Sequence, residues 1–508
     1  MALTAVDGAK GGVIGEALAA APALTDAPVT EAELAADMRI LASDAFEGRG
    51  PGTAGEVRTT AYIVSQWAAA GLKPLTGSHT PWLQAVPLVE RRGLTGEAVF
   101  RLNGRAIALD DQEILLQGRD AATQISGAPV VFIGHGVGRD GRLNMDVAGK
   151  VVILLHGGSR FGGRGVSPRK QRELLAAGGA LAALTVADDG VPWATMANWV
   201  QSPNITLDGG DKDIALLGYV SIRGFDRLME KAGHMGQAVR ASAQSADYRG
   251  LQLPATADLS ATSQVRKFTS HNILARLPGA NPDGKAVILL AHWDHLGVCR
   301  PDDERDQICN GAVDNASGIA ALNAIAKRLA SGPPLDRDVI FLATTAEEQG
   351  LLGAHYFAAH APLASDQVAV AFNLDTIAIA PRGTPIAIIG PKLSTYHDAI
   401  HAVARSMERR IDLDQEADEF IERQDGVALI AANMPAFMVG GSFSNMALLD
   451  AFFDGPYHQP DDEMSDALDL GGAAEDSDLH IALARLFADR SRWDGAQYIR
   501  HQHIAAKP

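Results

Sequence analysis

Three short aliphatic runs, each followed at once by acid or imidazole, constrain this chain more than anything else in it. Ala286-Val-Ile-Leu-Leu-Ala leads into His292, Asp294 and His295. Asp338-Val-Ile-Phe-Leu-Ala-Thr-Thr-Ala leads into Glu347 and Glu348, and Val368-Ala-Val-Ala-Phe-Asn-Leu into Asp375. Runs of this length without polar alternation read as strands buried on both faces of a sheet. Ligands of open α/β sheets collect beyond the carboxyl ends of such strands, so the three runs predict one polar edge. Helical spacing over Ser317 to Leu329, Glu348 to His360, Ser394 to Met407 and Ser477 to Ala488 places helices between and after them. The expectation is an α/β fold with a mixed, mostly parallel sheet flanked by helices.

Two further stretches feed the same edge. Asn310-Gly-Ala-Val-Asp-Asn-Ala-Ser-Gly carries Asp314, and Asp454-Gly-Pro-Tyr-His-Gln-Pro-Asp-Asp carries His458 among turn formers. The set His292, Asp314, Glu347, Glu348, Asp375 and His458 combines imidazole with carboxylate and lacks thiolate, which suits zinc or a similar divalent ion. It is too large for one tetrahedral ion, and two ions sharing a bridging carboxylate fit it better. Taken singly these residues say little. A lone buried histidine is more often a hydrogen-bonded core residue than a ligand, and Glu347-Glu348 would ordinarily open a solvated helix. Asp375 is different, because an uncompensated carboxylate inside an apolar run is costly and a metal neutralises it simply.

At 508 residues the chain has room for two or three domains. Thr30-Glu-Ala-Glu33 is a capping-box pattern opening a helix to about Leu41, and Thr59 to Ala70 returns to helical spacing with Gly71 as its cap. Between about Leu94 and Gln252 the texture changes to short apolar runs separated by Gly and Asp, including Val130-Val-Phe-Ile, Val151-Val-Ile-Leu-Leu and Leu181-Ala-Ala-Leu-Thr-Val. The division expected is a loose segment 1–29, a discontinuous main domain of 30–93 and 253–489, an inserted α/β module of 94–252, and a tail of 490–508. The module's His135, His156 and His234 lack ligand spacing and read as ordinary residues. A formal charge of −17 argues against a nucleic-acid partner. No run of about eighteen apolar residues is present to span a bilayer. The first thirty residues lack a basic start and an unbroken apolar core, so no signal peptide is read there. The only cysteines, Cys299 and Cys309, lie in the stretch between His292 and Asp314. They are either a local disulfide, which would imply an oxidising compartment, or two free thiols.

The region from about His271 to Ala488 resembles the M28 metallopeptidases, the aminopeptidase and glutamate-carboxypeptidase group with two co-catalytic zinc ions. The likeness rests on His292-x-Asp294, Asp314-Asn-Ala-Ser-Gly318, Ala346-Glu-Glu-Gln-Gly-Leu-Leu-Gly353, Asn373-Leu-Asp375 and Tyr457-His-x-Pro-x-Asp462, in that order. It implies that His292 and Asp375 bind one or other zinc, that Asp314 bridges the pair, and that Glu348 and His458 complete it. It further implies Glu347 as general base on a metal-activated water, with Asp294 orienting His292 through the second imidazole N–H. The module from about Leu94 to Gln252 is similar to a protease-associated (PA) domain, on Val131-Phe-Ile-Gly-His-Gly and Asp146-Val-Ala-Gly-Lys-Val-Val, and Glu47-Gly-Arg with the following helix resembles the flank of the peptidase domain. One stretch departs: many relatives have Ser-Asp-His-x-x-Phe where this chain reads Gln424-Asp-Gly-Val-Ala-Leu. The function implied is a di-zinc exopeptidase acting on peptides, read first as an aminopeptidase. A carboxypeptidase using Arg423 or Arg382 for a free carboxylate, a single-zinc glutaminyl-cyclase-like acyltransferase and a non-catalytic receptor are the alternatives. Tyr457 and Tyr396 are candidates to stabilise an oxyanion. A periplasmic or secreted location follows if a signal has been removed, with the cytoplasm left open.

Overall fold

The computed structural model describes residues 27–494 apart from 77–79, 139–140, 156–167, 188–191, 210–213, 246, 301–304 and 415. His156, most of the segment 1–29 and the end of the tail therefore lie outside the described residues. Two compact units are present, one made of the chain up to Val86 and from Thr269 onward, the other of Pro87–Phe268. The junctions fall inside two long strands, Leu83–Leu102 and Leu251–Leu277. They do not coincide with the changes of texture at 93/94 and 252/253, because a strand can run on from one unit into the next without a linker that composition would reveal.

In the first unit the three runs form adjacent parallel strands. Ala286–His292 lies at the centre, with Asp338–Thr344 on one side and Val368–Asn373 on the other. Ala436–Gly440 extends the parallel set, and Ala387–Ile389 pairs antiparallel at that edge. At the opposite edge Ile273 to Leu277 runs antiparallel to Asp338–Thr344. The sheet is therefore mixed and mostly parallel, as the alternation of strands and helices predicts.

The unbroken apolar runs reflect burial on both faces. Val287, Leu289 and Ala291 face a core shared with the helices Glu31–Leu41, Ser317–Ser331 and Gly471–Ala488. Ala286, Ile288 and Leu290 point the other way, toward Phe357 of helix Leu352–Ala359 and Leu429 of helix Gly426–Ala431. The capping box is present: Thr30 accepts from the Glu33 backbone while the Glu33 carboxylate reaches back to the Thr30 N–H. The helix expected from Glu348 begins only at Leu352. Ala346 and Leu351 take left-handed backbone, with φ of 52° and 61°, so the chain loops over the strand end before it can coil. That loop presents Glu347 and Glu348 to the sheet edge instead of to solvent on a helix.

The second unit is built on a further run of strands. Strands Ala122–Phe132, Val151–Leu155, Ala182–Val186 and Leu216–Val220 are parallel in that order, with Ile114–Gly118 antiparallel at one end and Leu251 to Thr262 at the other. Phe132, Ile153, Leu184, Val220 and Phe225 form its core on one face. Val131, Val152, Leu154 and Leu175 do so on the other.

Candidate metal centre

Strand register delivers the candidate ligands to one place. His292 is level with Thr344 of its neighbour, and Leu290 with Asn373 of the other. Asp375, two residues beyond Asn373, thus comes level with His292, and Glu347 follows three residues after Thr344. His292 Nε2 lies 3.2 Å from Asp314 Oδ1 and 3.4 Å from Asp375 Oδ1. On the other side of Asp314, Oδ2 lies 3.4 Å from His458 Nε2, which is 2.9 Å from Glu348 Oε2. Each Asp314 oxygen thus faces its own imidazole–carboxylate pair. The structure brings together all six residues that sequence reasoning nominated.

Asp314 sits in the irregular turn Ala312–Ala316, and Asp462 fixes that turn: its two oxygens accept the N–H groups of Val313 and Asp314 at 2.9 and 3.0 Å. Sequence reasoning quoted Asp462 in a motif and gave it no task. His295, next to Asp294, has Nδ1 2.6 Å from Glu348 Oε1 and forms a further ligand-capable group with Asp314 and Glu348. His271 and His397 are ordinary: one pairs with Glu56 at 2.9 Å, the other with the Pro391 carbonyl at 3.2 Å.

Asp294 departs from its expected use. The His292 Nδ1 donor is 3.1 Å from the Asp294 backbone oxygen and 4.0 Å from its carboxylate. The carboxylate instead accepts the Glu347 N–H at 3.1 Å, while its second oxygen is buried with no hydrogen-bond partner among the described residues. A residue two positions along a strand shares the face of its predecessor. The chain leaves extended structure right after His292, so that face relation ends there and the main chain holds the imidazole.

The electrostatics show a shortage of positive charge. Burial pushes Asp294 up to about 8 and both Asp425 and Asp462 up to about 6. Burial also raises Glu347 well above the carboxylate range, with Glu348, Asp375 and Asp425 adding to it against His292. Burial opposes ionisation of Asp314 and Glu348 too, but the imidazoles of His292 and His458 for the first, and His295 and His458 for the second, outweigh it. His458 Nε2 is buried and makes no aligned hydrogen bond despite its two carboxylate neighbours. An imidazole nitrogen aimed between carboxylates in a site with uncompensated negative charge, and no thiolate nearby, fits a divalent cation.

A cleft of about 370 Å³, open solvent included, lies over the centre and is lined by His292, Asp314, Glu347 and Asp375 on one side. Phe420, Arg423, Met438, Phe443, Phe453 and Tyr457 form much of the remaining wall. Arg423 stacks on Phe420 and Phe453, its guanidinium carbon 5.4 and 5.0 Å from the ring centres. The other three sequence candidates for the cleft are resolved differently. Arg382 is taken up by ion pairs with Glu31 and Glu475. Tyr396 is buried in the core, where its hydroxyl donates to the Ala369 carbonyl at 3.0 Å. Tyr457 lines the cleft and stacks on His458, with ring centres 3.7 Å apart.

Cys299 and Cys309 are joined, closing the hairpin that links the His292 strand to the Asp314 turn. Cys309 also contacts the His458 carbonyl at 3.7 Å. Replacing both cysteines with serine is expected to cost about 2–3 kcal/mol, from the unfolded-chain entropy that a crosslink of this short span removes. Urea unfolding of the metal-free protein measures it. An unchanged midpoint would show that the hairpin holds itself.

A mostly parallel sheet whose carboxyl edge gathers imidazoles and carboxylates in two facing sets is the arrangement of a divalent-metal centre. The profile described as "Peptidase family M28" matches residues 272–483, the part of the chain that carries all six clustered residues. Similar proteins include a probable glutamate carboxypeptidase VP8 of Zea mays, 28% identical over 379 residues, which are 65% of this chain and 48% of that protein. A vacuolar membrane protease of Schizosaccharomyces pombe is 34% identical over 93 residues, 18% of this chain and 10% of that one. The chain thus spans about half the length of the maize relative and a small part of the yeast one. Among solved structures, an aminopeptidase from Aneurinibacillus sp. strain AM-1 superposes with a TM-score of 0.55 at 19% identity, covering 91% of this chain and 95% of that one. The shared fold is the one expected from sequence. No described helix is long and apolar enough to cross a membrane.

Proposed function

We propose that the chain is a di-zinc exopeptidase that removes the amino-terminal residue of peptides. The observation that carries this reading is the two-sided seating of Asp314, one oxygen toward His292 and Asp375, the other toward His458 and Glu348. In it His292 and Asp375 would hold one ion and His458 and Glu348 the other, with Asp314 placed to serve both. When bound, such a pair of ions polarises the scissile carbonyl and lowers the pKa of a water. Glu347, in the cleft wall, takes a proton from the attacking water at its carboxylate and passes it to the leaving amine. Asp294 holds the Glu347 main chain and so fixes where that carboxylate stands. A free substrate amine seats against the carboxylates of Glu347 and Asp375, and the terminal side chain lies toward Phe420, Met438, Phe443 and Phe453.

Arg423 favours a second reading. A guanidinium held in the cleft by two aromatic rings suits a free substrate carboxylate, as a carboxypeptidase requires. Metal analysis with a panel of aminoacyl-anilides and N-blocked dipeptides separates the two. The aminopeptidase reading expects about two zinc per chain and cleavage of the anilides alone. Cleavage of the blocked substrates alone reverses the terminus, and absence of bound metal overturns the site.

The remaining readings follow from sequence and local chemistry. A disulfide beside the site supports an oxidising compartment, periplasmic or extracellular. On Val131-Phe-Ile-Gly-His-Gly and Asp146-Val-Ala-Gly-Lys-Val-Val the α/β module is read as a PA-like domain.

A further inference from the structure

Beneath the candidate ligands lies a buried cation that pairs with no carboxylate among the described residues. Arg49 is fully buried, and its guanidinium donates to four main-chain carbonyls. Nε bonds the Trp293 oxygen at 2.9 Å, one nitrogen bonds Leu41 and Asn310 at 2.8 and 2.6 Å, and the other bonds Gly311 at 2.8 Å. Trp293 stands between His292 and Asp294, and Asn310 and Gly311 lead into the turn of Asp314. The planar fork of arginine can hold several acceptors at fixed angles, which a lysine ammonium on its flexible stem cannot.

The backbone is shaped to put it there. Glu47, Gly48 and Arg49 have φ of 50°, 58° and 53°, three successive left-handed residues. Such a conformation persists in non-glycine residues only where the surroundings impose it. A Cβ on Gly48 would collide with the carbonyl oxygens of Cys309 and Gly297, so the segment lies flat against the hairpin before Asp314. The charge is also placed to act on the site through space, since Asp462, Asp314, Asp294 and Glu348 all act on this guanidinium.

We propose that Arg49 is a positioning residue of the metal centre: by holding the carbonyls of Trp293, Asn310 and Gly311 it fixes His292 and Asp314 at ligand spacing and thereby sets metal affinity. The proposal rests on the two-metal reading above. Outer-shell partners of ligands typically govern affinity by about ten- to a hundredfold.

The test uses the full chain, stripped of metal, with zinc titrated by calorimetry and thermal unfolding recorded before zinc is added. Arg49→Lys is compared with Arg337→Lys. Arg337 is equally buried and bonds Asp283 and the Phe487 carbonyl at the opposite end of the strands. Arg49→Lys is expected to bind zinc about ten- to a hundredfold more weakly, whereas Arg337→Lys loses thermal stability and keeps wild-type affinity. Arg49→Gln replaces the lysine variant if that one does not fold. Wild-type affinity in the Arg49 variants overturns the proposal alone. So does failure of both to fold where Arg337→Lys folds, which would make Arg49 a folding residue. A wild-type protein that takes up no zinc overturns the metal reading and this proposal with it.

Discussion

Asp314→Ala is expected to empty both metal positions at once, whereas His458→Ala or Asp375→Ala should empty one. The asymmetry follows from geometry, because Asp314 alone presents an oxygen to each side while His292 with Asp375 and His458 with Glu348 face only one of them. The variant should fold. In the metal-free protein the substitution gives up the pairing of Asp314 with His292 and His458, and in part offsets that loss by removing the repulsion Asp314 exerts on Glu348. The turn keeps its shape because Asp462 grips the main-chain N–H groups of Val313 and Asp314, which the substitution leaves in place. Metal analysis after dialysis, with turnover measured on the best substrate, gives the result. Zinc should fall to background and turnover by about a thousandfold, the scale of losing one central electrostatic stabiliser. Retention of one tightly held ion by Asp314→Ala would show that the aspartate serves one side only, and the bridging assignment would fail.

Why the centre was legible while its support was not comes down to periodicity. A strand buried on both faces must be apolar throughout, so the polar residue that ends it stands out in the sequence, and three such ends defined the edge holding His292, Glu347 and Asp375. Asp314 and His458 stood out in loops for lack of a hydrophobic reason to be there. The supporting contacts carry no such signal. Arg49 acts on carbonyls 244 and 261 positions away, and main-chain acceptors have no side-chain identity to read. Asp294 was linked to the imidazole through the family resemblance, and the extended strand that would keep the two side chains on one face ends at His292. Tyr396 and Arg423 could not be told apart as cleft residues, because one lies on a helix face turned into the core and the other ends the 3-10 helix Glu416–Arg423, whose three-residue period is not that of an α-helix.

Glu347→Gln is expected to abolish turnover and leave both metals bound, and this variant tests the division of labour between two adjacent glutamates. Distances alone do not make that division, since His292, Glu347 and Glu348 also form a ligand-capable group. Two contacts do. Glu348 is engaged by His295 and His458, at 2.6 and 2.9 Å, which commits its oxygens to the ligand cluster. Glu347 has no such imidazole contact among the described residues; it lines the cleft, and Asp294 fixes its main chain. A carboxylate anchored through its backbone and open to the substrate is placed for proton transfer. Glutamine keeps the volume and removes the basic oxygen, so kcat should fall by about 10²–10⁴ with KM and zinc content near wild type. Glu348→Gln should instead lose one zinc. If Glu347→Gln loses metal, the residue is a ligand and the base must be sought elsewhere in the cleft; if it retains both metal and full turnover, proton transfer does not pass through it.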